Sequence, residues 1–150
     1  KIATVIKHIP GHGLAKVDSH LKLPIISEKL NYLLKNDFSV FKKKKSKMAM
    51  TGHLLFNSID DKNSTTHSKK LIKIIRKNIN FNGLLITDDL SMKALSSNIK
   101  DNVLKSFKAG CNLALHCNGK MSEMLIVAKN SPKINNFIIK KTTQITNIIS

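Results

Sequence analysis

Residues 82–90 read NGLLITDDL, and the fold follows from how that stretch divides. Asn82-Gly83 is a turn signal, residues 84–87 are a short apolar strand, and Asp88-Asp89 closes it. Upstream, Leu71, Ile75 and Ile79 recur at i, i+4 and i+8, the spacing of one helix face. Helix, turn and a strand ending in carboxylates make one unit of an alternating chain.

The unit repeats on both sides. A first strand is expected over residues 3–8, buried, with a polar loop running to Pro24. Ser27 is placed to cap a helix that carries Leu30, Leu33 and Leu34 towards Phe41. A second strand is expected over 47–53, followed by a loop rich in Asp, Asn, Ser and Thr. After Asp89, a helix near 102–109, capped by Asp101 and closed by Gly110, leads to a fourth strand over 112–117. Helical sequence broken at Pro132 follows, with about 131–150 as a C-terminal helical tail.

Strands alternating with helices predict an α/β fold with a parallel sheet. His8, His53, Asp88 and Asn118 then fall at or just past the carboxyl ends of successive strands. A parallel barrel carries its chemistry on that face. About four βα units amount to half of a (β/α)8 TIM-type barrel, so residues 1–150 are expected to form a single partial domain. An open, doubly wound sheet is the alternative. None of the loops has a dinucleotide-binding or P-loop glycine pattern. Because the chain opens on Lys1, a piece of a longer protein is expected.

The formal charge is +17, from 26 basic and 9 acidic residues. That balance requires a nucleic-acid or anionic-membrane partner to be weighed. Arg76 is the only arginine, whereas base edges and phosphates are best met by arginine. Stacking aromatics are few, with one Tyr and no Trp. The lysines sit among Asn and Ile, a drift that places solvated charge on outer helix faces. No nucleic-acid and no membrane partner is therefore expected, and a basic nucleic-acid-binding module without catalysis stays an alternative. Cys111 and Cys117, on one strand, would stand roughly 20 Å apart, beyond the ~7 Å that a disulfide spans. Reduced thiols fit a cytoplasmic protein.

Residues 7–20 read KHIPGHGLAKVDSH and hold three of the six histidines. Core packing has little use for that mixture, whereas a mobile polar loop at a site does. Gly11 and Gly13 would hinge it. Asp18 and His20 stand two apart, so an extended loop leans both to one side, and the carboxylate then orients the imidazole and favours its cation. Side chains alternate along a strand, so Asp88 faces inward if Asp89 is structural. A carboxylate there serves as nucleophile, base or metal ligand. His8, His12, His20, His53 and Asp88 would be the ligands of a metal-dependent barrel hydrolase. No HxH opens a strand and no HExxH lies on a helix, so neither a metal nor another cofactor is expected. The blander readings are a turn with incidental histidines, a helix-capping Asp18 beside a surface His20, and a capping role for the aspartate pair.

KHIPGHG at residues 7–13, Asp18-Ser19-His20, MAMTGH at 48–53, ITDDLSM at 86–92 and AGCNLALHCN at 109–118 occur here in order and spacing. Together they resemble the bacterial β-N-acetylhexosaminidases of glycoside hydrolase family 3, in the branch that acts in peptidoglycan recycling. The resemblance covers roughly residues 1–120. It implies the C-terminal half of a (β/α)8 barrel and a retaining hydrolase that removes terminal β-linked N-acetylglucosamine. Asp88 matches the nucleophile, and His20, oriented by Asp18, matches an unusual acid/base. Lys7 and His8 match residues that bind sugar hydroxyls, and His53 is expected in the pocket wall. The partners implied are an amino-sugar substrate, such as N-acetylglucosaminyl-anhydro-N-acetylmuramic acid, and the missing N-terminal half of the barrel. Ile9 stands where a Phe is common.

Overall fold

The structure is a computed structural model that describes residues 1–19 and 21–149. In chain order its elements are β1 (Val5–Ile9), β2 (Ile25–Ile26), α1 (Leu30–Lys35), β3 (Met48–Thr51), β4 (Leu55–Phe56), α2 (Lys69–Lys77), β5 (Leu84–Asp89), α3 (Ile99–Ala109), β6 (Leu113–Leu115), α4 (Met121–Asn130) and α5 (Asn136–Ile149). Strands β1, β3, β5 and β6 form one parallel sheet in that order. A doubly wound sheet turns on a reversal of strand order, and these four strands contain none. An unreversed run of parallel βα units is an arc of a barrel.

The two faces of the arc differ. Ala49 pairs with Leu85, and both are fully buried against the helices with Leu71, Ile72 and Ile75 of α2. Met50 and Ile86, paired on the opposite face, are only half-buried. That face is the one a barrel fills with inward side chains. The first strand is less buried than expected. It lies at the sheet edge, and its Val5 is 37% exposed.

Arg76, the single arginine, is a structural stitch. Its Nη1 donates to the carbonyls of Phe81 (2.9 Å) and Gly83 (2.7 Å), and its Nη2 to Asn112 Oδ1 (2.8 Å). The same Asn112 oxygen accepts the Leu85 N–H at 2.9 Å. One planar guanidinium thus ties the amino end of β5 to the segment entering β6, a geometry lysine cannot copy. Position 83 requires glycine, since a Cβ there would lie 2.3 Å from the Lys47 carbonyl oxygen. Gly110 closes α3 in the left-handed region, at φ 117°.

Two helix starts differ from expectation. Residues 25–26 form a short parallel ladder with residues 55–56, which keeps the chain extended, and α1 begins later, after an uncapped Lys29. Ser27 instead accepts from Asn57 Nδ2 at 3.2 Å. Helix α3 begins earlier, because Asn98 caps it by accepting the Asp101 N–H at 2.9 Å. Asn98 Nδ2 donates back to Asp101 Oδ2, a reciprocal box in which Asp101 is the third helical residue.

Candidate active site

The pairing register shifts between Lys7 and Ile9 in β1 and between Ile86 and Asp89 in β5. Both irregularities lie at the carboxyl ends of the strands, where such breaks re-aim side chains. Asp88 Oδ1 accepts the Asp89 N–H at 2.9 Å. Its Oδ2 lies 3.4 Å from His8 Nε2, and the two side chains are 15% and 27% exposed. Burial holds His8 below its ordinary value. Asp88 opposes that shift, while His12 and Lys7 add to it, so the ring is neutral at pH 7.

Asp89 is committed elsewhere. Its Oδ1 accepts from the Ser91 N–H (3.0 Å) and the Cys117 N–H (3.1 Å), and Ser91 Oγ lies 2.8 and 2.7 Å from the two carboxylate oxygens. Asp89 therefore ties the turn after β5 to the end of β6. The neighbouring carboxylates thus have different partners: Asp89 is built into the backbone scaffold, and Asp88 stands at the strand end beside an imidazole.

His8 also borders a cleft of ≈ 560 Å³, lined with it by Lys7, His12, Gly13, Asp18, Ser19, Asp37, Val40 and Phe41 but not by Asp88. Lys7, His8 and Asp18, singled out from the sequence, are brought together there. His20 lies outside the described residues. Asp37 was not expected, and it accepts the Gly13 N–H at 3.2 Å. A larger cleft, ≈ 720 Å³, lies near the amino ends of β3 and β5 and is lined by lysines and asparagines. In a parallel barrel that end carries stability and not chemistry.

His53 is not a pocket-wall residue. It is 0% exposed and both ring nitrogens are used within the chain. Nε2 lies 2.9 Å from the Asp89 carbonyl oxygen and Nδ1 2.9 Å from Thr66 Oγ1. A carbonyl only accepts, so Nε2 carries the proton and Nδ1 accepts from the hydroxyl. Burial depresses the His53 pKa against the Asp89 carbonyl and the Asp88 and Asp89 charges, which keeps that tautomer neutral. Neither nitrogen is left for a sugar hydroxyl, and the ring braces the backbone behind the aspartate pair.

His67 titrates far from its usual range. Burial pushes its pKa down to about 4 from 6.5, with His53 and Lys105 adding to the shift. Above pH 6.5 both folded and unfolded chains hold it neutral, and stability is unaffected. Between 6.5 and about 4 only the unfolded chain binds the proton, so stability falls as pH falls, by up to roughly 3 kcal/mol. His67→Gln is expected to flatten that part of the profile in urea unfolding at pH 7 and 4.5. Unchanged slopes would show that the ring is hydrated when folded.

The glycosyl hydrolase family 3 N terminal domain model matches residues 1–147. The beta-hexosaminidase of Methylobacillus flagellatus is 30% identical over 131 residues, covering 83% of this chain and 38% of that protein. The beta-hexosaminidase of Glaesserella parasuis is 34% identical over 123 residues, 78% of this chain and 36% of that protein. Among solved structures, NagZ from Neisseria gonorrhoeae in complex with N-trifluoroacetyl-D-glucosamine aligns with a TM-score of 0.77 at 28% identity, covering 93% of this chain and 42% of that one. The chain thus spans well under half the length of these relatives. On the family match over nearly its whole length, and on a parallel arc with an aspartate at a strand end, the chain belongs to glycosyl hydrolase family 3, in the N-terminal domain of that family.

Proposed function

We propose that this chain is the C-terminal half of the catalytic barrel of a retaining β-N-acetylhexosaminidase. The observation that carries the reading is the division of labour at the end of β5. Asp89 is engaged by the chain, and Asp88 stands beside His8 with its Oδ2 3.4 Å from the imidazole Nε2. In the first step an Asp88 oxygen bonds to the anomeric carbon as the glycosidic C–O bond breaks, and His20 gives its proton to the departing oxygen. In the second step water attacks the same carbon, its proton passes to His20, and the Asp88–carbon bond breaks. Asp18 holds the imidazole tautomer and stabilises its cation. Lys7 and His8 bind sugar hydroxyls.

The substrate proposed is a terminal β-linked N-acetylglucosamine, as in peptidoglycan fragments such as N-acetylglucosaminyl-anhydro-N-acetylmuramic acid. Support comes from the relatives named beta-hexosaminidase and from the glucosamine derivative bound to the Neisseria protein. The remaining sugar contacts belong to the other half of the barrel. A cytoplasmic setting is supported by two free cysteines, Cys111 buried and Cys117 exposed. No helix among the described residues is long and apolar enough to cross a membrane.

The test is stereochemical. A chain carrying the whole barrel is mixed with an aryl β-N-acetylglucosaminide, and proton NMR follows the anomeric signals. The β-anomer of N-acetylglucosamine should appear first, with the α-anomer growing in only by mutarotation. An initial α-anomer would overturn the covalent mechanism. Stoichiometric zinc with chelator-sensitive turnover would move the histidines to the metal-dependent alternative.

A further inference from the structure

The loop between β1 and His20 rests on one carboxylate. Asp37 lies between α1 and the 3-10 turn Ser39–Phe41. Its Oδ1 accepts the Gly13 N–H at 3.2 Å. Its Oδ2 presses under Gly11 so closely that a Cβ there would lie 2.0 Å away, and a Cβ at Gly13 would lie 3.0 Å from Oδ1. The two glycines therefore do more than hinge the loop. Their missing side chains let a carboxylate reach the backbone. His12, between them, lies within electrostatic reach of Asp37 and places its Nε2 3.4 Å from Ser19 Oγ, one residue before His20.

Asp37 Oδ2 is buried and has no hydrogen-bond partner in the described structure. Burial holds this carboxyl above the usual range, against the Gly13 N–H and His12. A buried polar oxygen without a partner is costly and calls for a specific use of the group. Here the group sits at the root of the polar loop that brings Asp18 and Ser19 to the cleft.

We propose that Asp37 is a positioning residue for the reaction: it clamps residues 11–13 to the body of the fold and so orders the loop that carries Asp18 into the cleft, and through Asp18 the acid/base pair. The inference rests on reading Asp18 and His20 as the acid/base pair. Asp37 touches no reacting atom and acts only through the loop. Such placement matters, since a misplacement of about 1 Å can lower a rate on the order of 10²-fold.

The test uses a chain with the whole barrel and two β-N-acetylglucosaminides, one with an activated aryl leaving group and one with a poor alkyl leaving group. Asp37→Ala should lower kcat/KM for the poor leaving group by about 10²-fold and for the activated one by less than about 5-fold, because only the first needs a well-placed proton donor. KM and the melting temperature should change little. Asp37→Asn keeps an acceptor for the Gly13 N–H and should recover most of the loss. Gly11→Ala attacks the same contact from the other side and should give the same leaving-group pattern. It should add little in the Asp37→Ala background, where the contact is already gone. Equal losses on both substrates, or additive losses in the double variant, would overturn the proposal. If Asp37→Ala does not fold, Asp37→Asn and Gly11→Ala still decide. His20→Ala is the reference: without the leaving-group pattern in that variant the acid/base reading itself fails, whereas the pattern in His20→Ala but not in Asp37→Ala or Gly11→Ala removes Asp37 alone.

Discussion

Asp88→Ala, in a chain carrying the whole barrel, is expected to lower turnover of an aryl β-N-acetylglucosaminide by on the order of 10⁴-fold or more, the scale of losing a nucleophile. Its neighbour cannot stand in. Asp89 is held by the N–H groups of Ser91 and Cys117 and by the Ser91 hydroxyl, and turning it would release the end of β6. The fold should tolerate the change, because within the chain Asp88 accepts the Asp89 N–H and meets His8 at 3.4 Å. A melting temperature within a few degrees of the parent would separate chemistry from unfolding. The cavity left by the carboxylate also gives a positive signal. Azide entering there attacks from the face Asp88 used, so an activated substrate should give the α-glycosyl azide. Parent-like hydrolysis by the variant, or a β-azide, would remove Asp88 as the nucleophile.

The residues that mark the end of β5 lie within a few positions of one another. A turn, an apolar run and a carboxylate pair follow one another, and neighbours on a strand point to opposite faces, so the two carboxylates meet different partners. Gly110 was equally local, since a helix end and a left-handed residue are read from one position. What escaped depends on contacts distant in sequence or on elements too short to show a period. The ladder of residues 25–26 on 55–56 is two residues long on each side, and it moved the start of α1. Asn98 and Asp101 are both good caps, and sequence alone does not rank them. The direction of His53 was hidden by Thr66 and by the Asp89 carbonyl, partners 13 and 36 positions away. Asp37 reaches Gly13 across 24 positions through a contact that depends on what glycine lacks.

His20→Ala should steepen the dependence of the rate on the leaving group. In the proposed first step the imidazolium protonates the departing oxygen, and the need for that proton grows as the leaving group becomes more basic. Across a series of aryl and alkyl β-N-acetylglucosaminides, kcat/KM should fall by about 10³-fold at the alkyl end and by less than about 10-fold at the nitrophenyl end, within the usual reach of general acid catalysis. The choice of a histidine makes physical sense here. Its reference pKa of about 6.5 lies near working pH, and an adjacent carboxylate raises the cation's share. Asp18 lines the cleft with Lys7, His8 and His12. His8, beside Asp88 and held neutral by burial, is poorly suited to hold the transferable proton. His53, bonded at both nitrogens, is unsuited for the same task. The acid limb and the basic limb of the pH profile should therefore come from different groups, and only the basic limb of kcat/KM should disappear in His20→Ala. A uniform loss across the series, with both limbs intact, would move the acid/base role away from His20 and leave Asp88 standing.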